Sequence, residues 1–194
     1  MTMPFDAEDE LDDAALLARY AAGDAAAARQ LTLRLTPRVF AHALRLLGNR
    51  AEAEDVAQEA LIRLWRIAPE WRAGEAKVST WLYRVTANLC TDRLRRRKSV
   101  PLDDAPELPD PAQGAEDGLQ QQARASALQQ ALGALPDRQR EAVVLRHIEG
   151  LGNPEIAAIM NIGPRAVESL IARGKRALTE MLAGRRNELG YHDD

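Results

Sequence analysis

The chain has 194 residues, enough for one ordinary domain or two small ones. Aromatic residues make up only 4% and no run alternates Val, Ile, Thr and Tyr, which excludes a sheet-based architecture and predicts an all-α protein. A formal charge of −3, evenly spread, would also exclude a nucleic-acid binder, because affinity for phosphate needs Lys and Arg to displace counterions.

The charge is not evenly spread. Residues 6–13 hold six acidic side chains in eight positions. A first helix follows, with Leu16, Leu17, Tyr20 and Ala21 on one face and Gly23 closing it. Asp24 is placed to cap a second helix that runs to about Leu35. Thr36-Pro37 reads as a new cap followed by proline at the first helical position, with Val39, Phe40, Ala43, Leu44, Leu46 and Leu47 continuing to Gly48. From residue 51 to about 67, Val56, Ala60, Leu64 and Ile67 make one apolar stripe. The next helix, roughly 78–97, is expected to bury Val78, Trp81, Leu82, Val85 and Leu89 and to show Asn88, Arg95, Arg96 and Arg97 outside. Around it, residues 72–98 carry eight basic side chains against two acidic ones.

Residues 99–118 hold four prolines and six acidic residues without one Lys or Arg. Such a segment builds neither helix nor core and reads as an extended linker, either a tether or a segment with a binding site of its own. Beyond it, helices are expected at about 119–135, 137–147, 154–160 and 164–182, with Asp137 and Asn153 as caps and Gly163-Pro164 setting a sharp start. The short connection Asn161-Ile162-Gly163 suits a helix-turn-helix, and Asn or Gly there tolerates a left-handed backbone. The domains expected are therefore residues 11–98 and 119–185, each small and marginally stable alone, joined by residues 99–118.

In the last unit Val143, Val144, Ile148, Ile156, Ala157, Ile159, Val167, Leu170 and Ile171 are the candidate core. Arg165, Glu168, Ser169, Ala172 and Arg173 then lie outside the final helix, and residues 163–186 hold six basic side chains against two acidic ones. A helix of this kind fits the major groove, with side chains at base edges and flanking Arg on phosphates. In the first half, Asp55, Gln58, Glu59 and Ile62 recur at spacings of three and four, an acidic-to-apolar strip suited to a basic helical partner; a merely solvated face is the alternative.

No constellation supports catalysis. His42, His147 and His192 lie at no metal spacing, so neither metal nor cofactor is expected. Cys90 is the single cysteine, which excludes an internal disulfide and is most simply a small buried hydrophobe. No apolar run approaches bilayer length and the N-terminus is acidic where a signal peptide is basic, so a cytoplasmic protein without direct membrane insertion is expected.

Three motifs, in order, resemble the sigma-70 family of RNA polymerase sigma factors, and especially its extracytoplasmic-function group. Leu135-Pro136, Arg140-Glu141-Ala142 and Glu155-Ile156-Ala157 are similar to the region that reads the −35 promoter element. Asp55-x-x-Gln58-Glu59 followed by Leu61-Ile62-Arg63-Leu64-Trp65 resembles the region that clamps the polymerase's largest subunit. Residues 79–97 are similar to the segment that opens the duplex and recognises the −10 element. The resemblance covers about residues 11–98 and 128–182, and the lack of a longer N-terminal extension and a middle domain matches the minimal group.

By this resemblance Asp55, Gln58, Glu59 and Ile62 bind core RNA polymerase, and Arg84, Asn88, Arg93, Arg95, Arg96 and Arg97 bind the −10 element, Asn88 at the rim of a pocket for an extruded base. Arg146, Arg165, Ser169, Arg173 and Arg176 are the implied −35 contacts, while Glu168 departs from the family's usual Lys or Arg. Trp81 is either core or a strand-separating wedge. The implied partners are core RNA polymerase, promoter DNA and an anti-sigma factor, and the linker is implied to thread toward the polymerase active site. The competing readings are a stand-alone DNA-binding regulator, which would bind duplex without polymerase, and a decoy that sequesters an anti-sigma protein.

Overall fold

The structure, a computed structural model, describes residues 12–72, 74, 76–99 and 116–183, and among them no strand occurs. The acidic run before Asp12, most of the linker, and Arg185, Arg186 and His192 lie outside the described residues. Four helices form the N-terminal half: α1 (Asp13–Ala21), α2 (Ala25–Leu47), α3 (Arg50–Ile67) and α4 (Val78–Ser99), with a short 3-10 turn at Ala68–Glu70. Four more form the C-terminal half: α5 (Glu116–Ala134), α6 (Asp137–Val143) continued by a π turn at Val144–Ile148, α7 (Asn153–Met160) and α8 (Pro164–Ala183).

Local chemistry sets most of these boundaries. The Asp24 carboxylate accepts from the Ala26 and Ala27 backbone N–H groups at 2.9 and 3.2 Å, and Asn49 Oδ1 accepts from Glu52 at 3.0 Å. Gly23 and Gly48 sit at positive φ, 94° and 67°, where an L side chain is strained. The expected break at Thr36-Pro37 does not occur: α2 runs through Pro37 as one helix. Leu31, Leu35, Val39, His42, Ala43 and Leu46 form one buried stripe across it. Burying a stripe of that length outweighs the roughly 3 kcal/mol that an interior proline costs.

Asp137 and Asn153 stand at first helical positions rather than as caps; Pro136 and Gly152 precede them. Asp137 is drawn instead to Lys98, 2.6 Å away in the N-terminal half. At α7, the Gly152 N–H donates to Glu155 Oε2 at 3.1 Å, so the glutamate satisfies the helix start from within. The turn before α8 forms as its sequence implies, with Asn161 in the left-handed region at φ 51°.

Three apolar clusters hold the molecule. The first is N-terminal, built on Leu16, Leu17, Leu31, Leu35, Leu64 and Leu82. The third is the helix-turn-helix core, Ala142, Leu145, Ile156, Ile159, Met160 and Val167, with Tyr83 of α4 among them. The second joins the halves: Ala43, Leu46, Leu47, Val56, Ala87 and Cys90 pack with Leu132, Leu135, Val143 and Val144, and Ile148 lies against them. Val143, Val144 and Ile148, expected inside the three-helix unit, share this cluster with Ala177 and Leu178 of α8 and so serve the junction as well as that unit. Ala142 and Leu145, three residues apart, share the helix-turn-helix face, and Val143 and Val144 take the other, the ordinary spacing of a helix.

Candidate nucleic-acid interface

On α8, Arg165, Ser169, Arg173 and Arg176 are all exposed while Val167 and Gly174 face inward. Gly174 is required: a Cβ there would stand 2.6 Å from Val143 Cγ2. That close approach seats α8 on α6 and turns the basic face out. Arg173 Nε donates to the Ser169 carbonyl at 3.2 Å, which draws its guanidinium along the helix. Arg146, exposed on the π turn, donates to the Leu151 carbonyl at 3.0 Å.

On α3, Asp55, Gln58, Glu59 and Ile62 are exposed along one strip, and Ile62 at 49% exposure is among the few large hydrophobics left in water. Glu59 pairs with Arg63 at 3.0 Å, one turn on, and Asp55 pairs across to Arg93 of α4 at 3.5 Å. The α4 cations are therefore not equivalent. Arg97 is engaged internally, donating to both Glu52 carboxylate oxygens and to the Leu47 carbonyl. Arg84, Asn88 and Arg95 are exposed and, with Arg63, line a cleft of about 580 Å³. Its far wall is Arg138, Glu141, Ile159, Met160 and Asn161 of the C-terminal half. A carboxamide flanked by guanidinium groups can bond a base edge while the cations hold phosphates. Trp81 packs on the first cluster and meets Trp71 edge-on at 6.1 Å, so it is core.

The sequence left Tyr83, His42, Glu149 and Arg140 without a site role. Tyr83 is 8% exposed and its hydroxyl donates to Glu149 Oε2 at 2.7 Å. His42, fully buried, places Nδ1 3.4 Å from Glu149 Oε1, and Arg45 lies 3.6 Å from the same oxygen. Burial pushes the Glu149 carboxyl up, but hydrogen bonding to His42 and Tyr83 and the nearby cations outweigh it, so it is held below the usual carboxylate range. Burial, reinforced by Glu149, raises the Tyr83 phenol well above its ordinary value. Burial also pushes the Glu141 carboxyl up to about 7 and the Cys90 thiol up to about 12. Arg140 donates to the carbonyls of Leu132, Gly133 and Leu135 at 2.7–3.0 Å and to that of Leu46, satisfying the ends of α5 and α2 together. For His42 and Tyr83 the sequence signal is a polar side chain set among apolar ones, as His42 is between Val39 and Leu46; Arg140 and Glu149 stand in polar surroundings and carry no such signal.

Among the described residues no group of His, Cys, Asp and Glu could hold a metal, and no helix is long and apolar enough to cross a membrane.

Residues 31–100 match the family model Sigma-70 region 2, and residues 125–178 match Sigma-70, region 4. The chain is similar to the ECF RNA polymerase sigma factor SigM of Mycobacterium tuberculosis, 34% identical over 92% of this chain and 88% of that protein. It is also similar to SigW of Bacillus subtilis, 35% identical over 75% of this chain and 83% of the relative. SigE of Mycolicibacterium smegmatis is 38% identical over 78% of this chain, a match that spans 60% of that longer relative. In structure, CnrH in complex with the cytosolic domain of CnrY superposes with TM-score 0.65 at 26% identity, covering 89% of this chain and 97% of that one. RpoE in complex with the anti-sigma factor NepR from Bartonella quintana has the same fold, with TM-score 0.64 at 23% identity over 80% of this chain and 96% of that one. Two matched regions in the family's order, with relatives covered over most of their length, establish that this chain belongs to the extracytoplasmic-function group of the sigma-70 family.

Proposed function

We propose that the protein binds core RNA polymerase and directs promoter-specific transcription initiation, as an initiation factor rather than an enzyme, under control of an anti-sigma factor. The observation that carries the reading is the pair of exposed surfaces of opposite character: the carboxylate strip on α3 and the cationic face of α8. In this reading residues 11–98 dock on polymerase through Asp55, Gln58, Glu59 and Ile62. Arg84, Asn88, Arg93, Arg95 and Arg96 then engage the melted −10 strand, while Arg97 braces α4 against α3. Residues 119–185 place Arg165, Ser169, Arg173 and Arg176 in the −35 major groove, with Arg146 on the backbone. Residues 99–118 connect the two, although Ser99 belongs to α4 and the last three residues of that stretch, from Glu116, belong to α5. The site of action is the cytoplasm, where polymerase and DNA are. An anti-sigma partner fits the RpoE complex above, in which an anti-sigma factor is bound.

Run-off transcription with purified core polymerase tests this. Asp55→Ala/Glu59→Ala is expected to impair holoenzyme assembly. Arg173→Ala should leave assembly intact and weaken initiation at −35-dependent promoters by about tenfold, the usual worth of one base contact. Unchanged polymerase affinity in the double variant would refute the α3 assignment, and no initiation at any promoter would refute the function.

A further inference from the structure

We propose that the cleft between α4 and the α6–α7 wall is a binding site for a free guanine nucleotide, with Arg84 and Arg95 on its phosphates and the Glu141 carboxylate on its base edge. The site shares Arg84, Asn88 and Arg95 with the proposed −10 surface but does not rest on that assignment.

Sequence spacing builds one wall. Arg84, Asn88, Thr91 and Arg95 recur at intervals of three and four and so share one face of α4. With Arg63 of α3 and Arg138 of α6, four guanidinium groups line about 580 Å³. Asp92 and Glu141 are the carboxyl groups lining the same space, so cations are in excess. Arg63 is committed in part to Glu59 at 3.0 Å, and Arg138 donates one N–H to the Met160 carbonyl at 3.3 Å. Arg84 and Arg95 have no ion pair or hydrogen bond among the described residues, which leaves their donors to a ligand. Unpaired guanidinium groups in a concave surface draw in phosphate and hold it by charge-assisted hydrogen bonds.

The second observation is Glu141. It is 7% exposed, lines the cleft, and has no hydrogen bond or ion pair among the described residues. A carboxyl buried to that extent is ordinarily satisfied within its own chain, and one that is not calls for donors from outside. Burial pushes it up to about 7 against the pull of Arg138, so the ionised form stands to gain most from two donors arriving together. A carboxylate presents two acceptor oxygens side by side, and guanine is the common base whose pairing edge offers adjacent ring N–H and amino donors. Adenine and cytosine place a ring acceptor beside the amino group and would set a lone pair against a carboxylate oxygen. Asn161, on the same wall, supplies a carboxamide N–H for the guanine carbonyl. Ile159 and Met160, each 4% exposed, give the purine an apolar surface. The volume suits one nucleotide rather than a strand of several.

Displacement of N-methylanthraniloyl-GTP from the full-length protein, followed by fluorescence at about pH 8 without metal ions, where Glu141 is ionised, tests the site. Unlabelled GTP is expected to reach half-displacement at about 100 µM or less, and ATP or a guanine-containing deoxytetranucleotide to need about tenfold more. Glu141→Gln turns an amide N–H toward the guanine donors. The preference for GTP over ATP should then fall about tenfold while affinity for inorganic tripolyphosphate is retained. Arg84→Ala, at an exposed position, should weaken GTP and tripolyphosphate alike by about tenfold. Arg29→Ala removes an equal charge from the exposed surface of α2, outside the cleft, and should change neither. Far-UV circular dichroism identifies any variant that unfolds, and Arg84→Ala keeps the test decisive if Glu141→Gln does so. No displacement by GTP up to about 1 mM, equal affinity for GTP and ATP, or equal losses in Arg29→Ala and Arg84→Ala would each overturn the proposal. Tighter binding of the tetranucleotide than of GTP would assign the cleft to a strand and overturn it as well. Every reading is made on the free protein. Failed run-off transcription therefore sinks the proposed function and leaves the nucleotide site standing, and absent GTP binding does the reverse.

Discussion

Arg140 shows how one side chain can close two helices. Its side chain lies 8% exposed, with the guanidinium among the carbonyls that end α2 and α5, groups that would otherwise be buried without donors. Arg140→Met keeps the volume and removes the donors, and a loss of about 3 kcal/mol or more in urea-unfolding free energy is expected. Its role was not legible in the sequence, where Arg140 is one of three letters of a family motif. The carbonyl that gives it meaning belongs to Leu46, 94 positions earlier. Arg97 and Arg93 teach the same lesson, because their carboxylate partners Glu52 and Asp55 are 45 and 38 residues away. Cationic character is written in a sequence, but whether a cation is available is decided by tertiary structure.

The elements themselves were largely legible, since caps and turns are local chemistry: Asp24, Gly48 and Asn161 act where they stand. The exposed faces of α3 and α8 followed from the same periodicity. Pro37 and the π turn were not legible, because in both places the packing of remote apolar residues overrides a local preference. Pro37 is exposed on an unbroken helix, so Pro37→Ala restores a backbone donor at no packing cost and should stabilise the protein by about 1–3 kcal/mol in thermal or urea unfolding. Gly174→Ala should do the opposite. Its helix-propensity gain of about 1 kcal/mol is outweighed by the clash with buried Val143, and a net loss of about 1–2 kcal/mol is expected, with weaker −35 binding as α8 shifts on α6.

For the whole molecule, two carboxyl groups near the junction give the folded state a pH optimum. Glu141, raised to about 7 in the folded chain, favours it in the uncharged form, a contribution present below the ordinary carboxylate range and lost as pH rises through about 7. Glu149, lowered, favours it when ionised, a contribution present above the ordinary carboxylate range and lost as pH falls through its own depressed value. Thermal stability measured from pH 4 to 9 should therefore be highest near the ordinary carboxylate pKa of about 4.3 and fall as pH rises toward about 7. Glu141→Gln is expected to flatten the alkaline side, with a gain at pH 8 of up to about 3 kcal/mol and little change at pH 5. The placement of Asn88 and Arg84 opposite Met160 and Asn161 has a thermodynamic corollary. A ligand that enters this cleft in only one arrangement of the two halves obeys linkage: its measured dissociation constant is the intrinsic value divided by the fraction of molecules in that arrangement.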